Sequence, residues 1–584
     1  MVTILKYLKP KEWALIGISI LFIVTQVWLD LELPGYMSEI TRLVQIPGSE
    51  MSEIIAAGGW MLLCALGSLA TSIIVAGIAA KIAANFSSRL RSKLFDKVQS
   101  FSMEEINNFS TASLITRSTN DITQVQMLIV IGLQLLVKAP ILAVWAMLKI
   151  TGKSWQWSLA TGVAIGVLIL IVGIVIVLVL PKFQKLQQLT DNLNRVAREN
   201  LTGLRVIRAY NAESYQEDKF SVANSELTRT NLFANNVLSM MMPSISLIMS
   251  GLSLAIYWIG AILIQNANGT AKMGLFSDMI VFSSYAMQVV MAFMMLIMIF
   301  ILMPRAHVSA KRINEVLDTK PSLENGSLTT SKTNRLGEVE FKKVSFKYPD
   351  AEEYVIEDIS FTVKKGETVA FIGSTGCGKS TVVNLIPRFY DATAGEVLVD
   401  GINVNQYEQT ALRNKMGYVS QKAILFGGTV SSNVAFGDNG SDLSSDVVDA
   451  IYTSQASDFV EKMEGSYEAH VSQGGTNLSG GQKQRLSIAR AIARRPEILI
   501  FDDSFSALDY KTDRKLRSEL KKKSSGTTIL IVAQRIGTIK DADKIIVLEA
   551  GRMAGMGTHD ELMQTCDVYQ EIAYSQLSKE ELAQ

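Results

Sequence analysis

One stretch decides the fold of this chain: Gly373-Ser374-Thr375-Gly376-Cys377-Gly378-Lys379-Ser380-Thr381. It fits G-x-x-x-x-G-K-[ST], the phosphate-binding loop or P-loop. The apolar run Thr368–Ile372 before it predicts a strand, and the segment from Ser380 onward predicts a helix. In that context the glycines let backbone N–H groups surround a phosphate, Lys379 reaches the outer phosphates, and the Ser380 hydroxyl can bind Mg²⁺. The stretch therefore predicts a nucleoside triphosphate site.

Composition separates the chain into two halves. Its 584 residues are too many for one domain, and its mean hydropathy of +0.24 is too apolar for a soluble enzyme. The apolar excess lies in the first half. The net charge of +1 indicates no nucleic-acid partner. Three cysteines, Cys64, Cys377 and Cys566, lie far apart without metal-ligand spacing and predict no disulfide framework.

The first half is predicted to cross a membrane six times. Four stretches lack charged residues and exceed the about 20 residues that a helix needs to span the hydrocarbon core. Two further apolar stretches are flanked by Asp30 and Glu32 or interrupted by Lys138. The predicted spans are Ala14–Leu29, Ile54–Ala80, Ile122–Leu148, Ser154–Pro181, Thr230–Ala271 and Met279–Pro304.

The basic residues predict the orientation of these spans. Lys and Arg are concentrated in the long connections after spans two and four, whereas the opposite connections are short and nearly free of them. By the positive-inside rule both termini are then cytoplasmic. The long connections are expected to be helical projections that turn near Asn108–Asn120 and Tyr210–Phe220. The basic segment Met1–Lys11 carries no cleavable signal and is expected to lie along the inner membrane surface.

Two features of the spans leave alternatives open. Asp30, Glu32 and Lys138 are costly inside a membrane, and they either line a substrate route or form a structural carboxylate–lysine pair near the outer face. The methionines of spans five and six either form an adaptable apolar wall or serve ordinary helix packing. They are Met240, Met241, Met242, Met249, Met287, Met291, Met294, Met295, Met298 and Met303.

Polarity rises after Arg305, and short apolar strands then alternate with helices, which is typical of an α/β fold. The predicted architecture is an α-helical six-span transmembrane domain over residues 1–316, a linker over 317–336, and an α/β P-loop nucleotide-binding domain over 337–584.

Further motifs resemble those of ABC transporters. Leu478-Ser479-Gly480-Gly481-Gln482 matches the LSGGQ signature, and Ile498–Asp502 resembles a Walker B strand. The resemblance implies ATP binding by the P-loop, with Tyr348 stacking on adenine and Asp502 near Mg²⁺. It places Gln421 in the Q-loop, Asp509 in the D-loop and Gly474-Gly475 in the X-loop. The implied Mg²⁺ ligands are Ser380, Gln421 and Asp502.

The resemblance covers nearly the whole chain and is to exporters with six spans ahead of one nucleotide-binding domain. Ser113–Arg117 with Asn120-Asp121 resembles the first coupling-helix region, and Glu199 to Glu213 resembles the approach to the second. The family implies a dimer in which each ATP lies between one chain's P-loop and the other chain's signature.

Two positions depart from the family pattern, and both concern hydrolysis. Asp503 stands where the family usually has a glutamate that polarises the attacking water, and Gln534 stands where it usually has the switch histidine. Aspartate retracts the carboxylate by about 1.5 Å. Glutamine can donate a hydrogen bond but cannot titrate. None of the three histidines, His307, His470 and His559, lies in a matching position.

This pattern resembles the degenerate-site subunit of heterodimeric bacterial multidrug exporters. The expected function is ATP-driven export of hydrophobic drugs through the bacterial plasma membrane, with ATP and Mg²⁺ as cofactors. The expected partner is a second half-transporter that carries the glutamate and histidine. The alternative interpretation of Asp503 is a site that still hydrolyses ATP, but slowly. The alternative functions are a lipid flippase, a peptide exporter, and an ATP-gated channel or regulatory subunit. The expected lack of a peptide-processing domain before Met1–Lys11 weakens the case for a peptide exporter.

Overall fold

The computed structural model describes residue 4 and residues 6–46, 48–151, 154–267, 271–330, 336–437, 443–523 and 526–576. It contains two compact units. The first is Met1–Gln99 with Ala112–Thr319, and the second is Ser100–Thr111 with Lys320–Gln584. The predicted boundaries at 316 and 337 stay predictions. Parts of the predicted N-terminal segment and linker, residues 1–3, 5 and 331–335, lie outside the described residues, as do residues 268–270 of the predicted connection between spans five and six.

The first unit is a bundle of long helices. Its helices are α1 (Pro10–Gln45), α2 (Met51–Gln99), α4 (Thr111–Thr116), α5 (Ile122–Ile150), α6 (Trp155–Thr202), α7 (Leu204–Ala209), α8 (Glu213–Ser239), α9 (Met241–Gln265) and α10 (Ala271–Asp318), while α3 (Met103–Phe109) belongs to the second unit. A π-helical turn, Arg117–Asp121, joins α4 to α5. In the described part of the chain, six helical stretches are long and apolar enough to cross a membrane, which confirms the predicted number of spans.

Large buried side chains pack three of these helices together. Trp157 on α6 is fully buried, contacts Phe282 on α10 with ring centroids 5.3 Å apart, and donates its indole N–H to the carbonyl of Ile256 on α9 at 3.0 Å. Gly260 permits this approach, because a Cβ there would lie 2.3 Å from the Met279 sulfur. Tight packing around small residues is the usual basis of helix association in membranes.

Ion pairs satisfy the charges inside the spans. Lys138 Nζ on α5 donates to Asp30 on α1 at 3.0 Å, and Lys149 Nζ donates to Glu32 at 3.1 Å. Ser68 on α2 also donates to the Asp30 carboxylate. These ion pairs agree with the second of the two alternatives, a structural carboxylate–lysine pair, since charged groups in a membrane usually pair with one another.

The first break between long helices differs from the predicted one. It spans residues 100–110 rather than 108–120, because Ser102 caps α3: the amide of Glu104 donates to Ser102 Oγ at 3.2 Å and the amide of Ser102 to Glu105 Oε2 at 2.7 Å. Ser110, with φ of 57°, ends the helix. The region predicted to hold the first coupling helix, residues 113–121, instead continues helically into α5. The second break lies between α7 and α8, at the start of the predicted range.

The second unit is built on two larger sheets. Its strands are β1 (Val339–Phe346), β2 (Ile356–Val363), β3 (Thr368–Gly373), β4 (Ala394–Val399), β5 (Ile402–Asn403), β6 (Met416–Val419), β7 (Gly428–Thr429), β8 (His470–Val471), β9 (Ile498–Asp502), β10 (Thr528–Val532), β11 (Lys544–Glu549) and β12 (Arg552–Gly557). One sheet is antiparallel with strand order β2-β1-β4-β5. The other has the order β12-β11-β3-β10-β9-β6 and is parallel except for β12. The α/β class predicted for this half is confirmed.

The helices of the second unit surround these sheets. They are α11 (Lys379–Leu385), α12 (Gln409–Asn414), α13 (Val430–Val434), α14 (Leu443–Thr453), α15 (Ser457–Val460), α16 (Gly480–Ala493), α17 (Tyr510–Lys523), α18 (Ile536–Ile539), α19 (His559–Thr565) and α20 (Asp567–Gln576). Strands β3, β9 and β10 are adjacent and parallel, with Val532 in register with both Asp502 and Phe371. Their carboxyl ends therefore meet at one edge, where ligands bind in open α/β sheets.

Candidate functional site

The P-loop connects β3 to α11 at this edge, as the sequence predicts for a phosphate site. Gly376 and Gly378 have φ of +86° and +95°, in the left-handed region that favours glycine. A Cβ on Gly378 would lie 2.5 Å from Ile356 Cγ2, whereas one on Gly376 would meet no atom within 4 Å. The loop is therefore packed on one side and open at its tip, where a phosphate can approach the backbone.

Lys379 lies across the inside of this loop. The side chain is buried, with 9% of the residue exposed, and its Nζ donates to the carbonyls of Gly373 at 2.8 Å and Ser374 at 2.7 Å. Carbonyl oxygens satisfy the buried ammonium but carry no formal charge. Phosphate oxygens would form stronger, charge-assisted bonds with it. The lysine is thus held beside the position that a phosphate would take.

Ser380 and Asp502 together fit a divalent cation. Ser380 Oγ donates to Asp502 Oδ1 at 2.7 Å, and Asp502 ends strand β9 with 5% of its surface exposed. Burial raises the pKa of the Asp502 carboxyl, against the hydrogen bond from Ser380. A bound Mg²⁺ would neutralise phosphate charge and favour the ionised carboxylate. Hydroxyl and carboxylate oxygens are the hard ligands that this ion prefers, so these two predicted ligands fit it.

The third predicted Mg²⁺ ligand, Gln421, lies elsewhere in this structure. Its amide Nε2 donates to Asp503 Oδ2 at 3.2 Å. Gln534 Nε2 donates to the same oxygen at 2.7 Å. Two neutral amides from different loops therefore hold one oxygen of the carboxylate that replaces the usual glutamate.

The backbone also restrains Asp503. The residue has φ of 48°, unusual for a non-glycine residue, and its amide donates to the carbonyl of Val532 at 3.0 Å. The backbone carbonyl of Gln534 in turn accepts from Gln576 Nε2 at 2.8 Å. Asp503 and Gln534 are thus brought together and fixed, but neither supplies the reach of glutamate or the titratable ring of histidine.

The predicted adenine-stacking residue lies next to the P-loop helix. The hydroxyls of Tyr348 and Thr381 are hydrogen-bonded at 3.2 Å. The Tyr348 ring packs edge-on against Phe346 and Tyr390, with centroids 5.0 Å and 5.3 Å away. Edge-to-face packing fixes the ring and leaves it half-buried, so one face can receive a base.

The LSGGQ segment forms an exposed helix start. Ser479 caps α16: its hydroxyl accepts from the amide of Gln482 at 3.3 Å, and its amide donates to Gln482 Oε1 at 2.9 Å. Ser479 and Gly480 are exposed, and Gly481 lies just inside the helix. Amide groups at a helix N-terminus bind anions, so this surface can accept a phosphate presented from outside the chain.

The predicted D-loop residue Asp509 precedes helix α17. Its Oδ1 accepts from the amide of Thr512 at 3.0 Å. Hydrogen bonds from Thr512 lower the pKa of Asp509, which keeps this exposed carboxylate ionised. Asp509 therefore acts locally as a helix cap in this structure.

Sequence motifs missed Tyr418, which contacts Asp502, and Asn384, which accepts a hydrogen bond from Tyr418. Tyr418 on β6 donates to Asn384 Oδ1 at 2.9 Å and lies 3.5 Å from Asp502 Oδ2. Burial raises the pKa of the Tyr418 hydroxyl, and the Asp502 charge raises it further, so the group stays a neutral donor. The contact joins strands far apart in the sequence, and no local pattern could have indicated it.

The membrane unit contains a groove between α9 and α10, with a volume of about 640 Å³. Methionines, serines and a tyrosine line most of it. These residues are Met242, Met249, Met287, Met294, Ser246, Ser250, Ser253 and Tyr257. Several of the methionines that the sequence analysis singled out thus share one wall with hydroxyl groups.

The chain combines six candidate membrane spans with a P-loop unit that carries an exposed signature helix. This combination defines a class of protein, the ATP-driven membrane transporters. Residues 16–318 match the family model described as ABC transporter transmembrane region, and residues 356–506 match the family model described as ABC transporter. The chain belongs to the ABC transporter family.

Relatives of known sequence cover most of the chain. An uncharacterised ABC transporter ATP-binding protein of Mycobacterium tuberculosis is 39% identical over 521 residues, 89% of this chain and 87% of that protein. YfiB of Bacillus subtilis, also described as an uncharacterised ABC transporter ATP-binding protein, is 34% identical over 99% of this chain and 98% of its own length. The ATP-dependent lipid A-core flippase of Pseudomonas putida is 30% identical over 83% of this chain and 79% of that protein.

A solved structure of a bacterial Atm1-family ABC exporter with ATP bound has the same fold. Its TM-score with this chain is 0.80 at 23% sequence identity, covering 97% of this chain and 98% of that chain. The comparison assigns the exporter fold to this chain.

Proposed function

We propose that this chain is one half of a heterodimeric ABC exporter, and that its own P-loop site holds ATP and hydrolyses it slowly. The observation that carries the proposal is the hydrogen bonding of Asp503, whose Oδ2 accepts from Gln534 at 2.7 Å and from Gln421 at 3.2 Å. The parts that hold nucleotide are all present, whereas the parts that activate water are altered.

The altered parts weaken hydrolysis for two reasons. An aspartate ends about 1.5 Å short of a glutamate, and a displacement near 1 Å can cost roughly 100-fold in rate. Gln534 supplies a neutral amide that is already bonded to Asp503. It cannot accept or release a proton near neutral pH, as histidine can.

The intact signature supports a role for this chain at the other ATP site. Ser479 caps α16, and both Ser479 and Gly480 are exposed. We infer a partner half-transporter that carries the catalytic glutamate and switch histidine, with both chains in the bacterial plasma membrane and both termini of this chain cytoplasmic. ATP and Mg²⁺ drive the cycle, and domain closure over ATP reorients the spans.

Hydrophobic, drug-like molecules are the proposed substrates. The groove between α9 and α10 combines flexible thioethers with the hydroxyls of Ser246, Ser250 and Ser253. Methionine surfaces adapt to varied apolar shapes. Lipid flipping is the second candidate, since a relative that is 30% identical is a lipid A-core flippase.

The first test is whether hydrolysis depends on a partner. We expect the full-length chain, purified alone in nanodiscs, to show at most roughly 5% of the ATPase rate of the complex it forms with its co-purifying half-transporter, because its own site lacks the glutamate. Steady-state phosphate release from both preparations measures this.

Two variants of this chain separate its two roles in that complex. Asp503→Asn should leave the ATPase rate within about 2-fold, whereas Ser479→Ala should lower it roughly 10-fold, because it removes the cap of the signature helix that completes the other site. Vigorous hydrolysis by the lone chain, or loss of activity with Asp503→Asn, would contradict the proposal.

The second test concerns the substrate. We expect apolar cationic dyes to stimulate the ATPase rate of the complex about 2- to 5-fold, and Met249→Ala with Met294→Ala to remove most of that stimulation, since both side chains line the groove. Met303→Ala, outside the groove lining, is the matched control. Stimulation by long-chain lipids and not by dyes would favour the flippase candidate instead.

A further inference from the structure

Tyr418 lies on the edge strand β6, directly beside the strand that ends in Asp502. Its backbone is in parallel register with Ile500 of β9, two residues before Asp502. Alternate residues of a strand face the same side of a sheet, so Tyr418 and Asp502 share one face. Both side chains contact helix α11 there. The length of the tyrosine side chain therefore brings a hydroxyl to the carboxyl end of the neighbouring strand.

The Asp502 carboxylate is contacted on both of its oxygens. Ser380 Oγ donates to Oδ1 at 2.7 Å, and the Tyr418 hydroxyl lies 3.5 Å from Oδ2. The terminal torsion of an aspartate side chain is broad, so one contact leaves the carboxylate plane poorly defined. Contacts on both oxygens fix that plane, and with it the direction in which the oxygens are presented to a cation.

The Tyr418 hydroxyl is itself held by helix α11. It donates to Asn384 Oδ1 at 2.9 Å, and the Tyr418 ring packs edge-on against Phe389 with centroids 5.3 Å apart. Asn384 lies one helical turn after Ser380, so these two side chains project from the same side of α11. Together with Tyr418 and Asp502 they form a closed ring of contacts that joins α11, β6 and β9.

The donors and acceptors of this ring leave the hydroxyl oxygen of Tyr418 with spare capacity. A tyrosine hydroxyl has one proton, and Asn384 receives it at the shorter of the two distances. The oxygen can still accept hydrogen bonds beside Asp502 Oδ2. Bound Mg²⁺ usually keeps several of its waters, and groups of the outer shell orient the ligands and tune the affinity for the ion.

We infer that Tyr418, oriented by Asn384, is a positioning residue for the Mg²⁺ site of this chain. It fixes the Asp502 carboxylate in the orientation that binds the cation, and so strengthens the binding of nucleotide together with Mg²⁺. Sequence motifs assign no residue to this role, and the third predicted ligand, Gln421, donates to Asp503 instead. The role of Tyr418 rests on the proposed nucleotide site, but not on the partner, the substrate or slow hydrolysis.

Isothermal titration of the full-length chain in nanodiscs with ATP, once with saturating Mg²⁺ and once with EDTA, tests this role. The ratio of the two dissociation constants measures the coupling between cation and nucleotide. For Tyr418→Phe we expect the affinity with Mg²⁺ to fall about 10-fold and the affinity with EDTA to stay within about 2-fold, because outer-shell substitutions cost roughly 10- to 100-fold in metal affinity. A general loss of structure would instead weaken both affinities.

Two further variants separate the ring of contacts from tyrosine hydroxyls in general. Asn384→Ala should also weaken binding with Mg²⁺ selectively, and adding it to Tyr418→Phe should cause no further loss, because the two residues act as one unit. Tyr407→Phe is the matched control. It removes a buried hydroxyl of the same unit, which donates to the Val399 carbonyl at 3.0 Å, and should leave both dissociation constants unchanged.

The outcomes distinguish the role of Tyr418 from the nucleotide site itself. Equal weakening by Tyr418→Phe with Mg²⁺ and with EDTA, or unchanged binding under both conditions, would overturn the positioning role while the nucleotide site stands. Additive losses from Tyr418→Phe and Asn384→Ala would overturn the part assigned to Asn384. Absence of ATP binding by the wild-type chain under both conditions would overturn the nucleotide site, and the role of Tyr418 with it.

Discussion

The double variant Asp503→Glu with Gln534→His is expected to raise ATP hydrolysis at this chain's own site by roughly 100-fold. Glutamate extends the carboxylate by about 1.5 Å toward the attacking water, and histidine supplies the titratable group that glutamine lacks. The measurement is single-turnover hydrolysis of labelled ATP by the complex with its co-purifying half-transporter, followed with and without the substitutions.

The single variants make this prediction sharper. Gln534 donates to Asp503 at 2.7 Å, so the two side chains form a coupled pair rather than independent sites. Asp503→Glu alone should gain less than about 10-fold, because a longer carboxylate would collide with or be captured by the amide of Gln534. Additive gains from the two single changes would indicate that the bond between them does not restrain the carboxylate. A wild-type rate already as fast as that of the double variant would show that Asp503 works as the base.

Features that depend on adjacent residues could be predicted from the sequence. The six spans follow from the lengths of apolar stretches, and six candidate membrane helices are found. The P-loop and the LSGGQ helix follow from glycines and caps at fixed spacing. Gly378 illustrates the reason: its positive φ and its contact with Ile356 are both properties that only glycine tolerates.

Features that depend on distant residues could not be predicted in the same way. Asn107 and Tyr390 are separated by 283 positions, and only the folded chain brings them together. The same holds for the bond between Tyr418 and Asn384, which joins the edge strand β6 to the P-loop helix α11. The position of α3 is a different case, because Ser102 and Glu105 form a capping box that can be read from the sequence.

The family motif predicted where Gln421 lies in the sequence of the fold better than it predicted which group Gln421 contacts. Its place after β6 agrees with the Q-loop, yet its amide donates to Asp503 at 3.2 Å rather than to the Ser380–Asp502 pair. Two glutamines, Gln421 and Gln534, converge on Asp503 just after the end of β9. Gln421, Asp503 and Gln534 therefore form one hydrogen-bond network, and each of its members depends on the others.

Replacing Lys379 by methionine is expected to weaken ATP binding by the full-length chain by roughly 100-fold. The ammonium is buried and lies beside the P-loop carbonyls of Gly373 and Ser374. A charge-assisted bond to phosphate contributes about 1.5–3 kcal/mol, so loss of the ammonium removes a large part of the affinity. Methionine keeps the length of the apolar stem and removes only the ammonium, so the loop should stay folded. Isothermal titration of the chain in nanodiscs with Mg-ATP measures the change, and Lys462→Met, at an exposed position of the same unit, is the control. An affinity within about 3-fold of wild type for Lys379→Met would mean that phosphate binds elsewhere, and the assignment of this loop as the nucleotide site would be wrong.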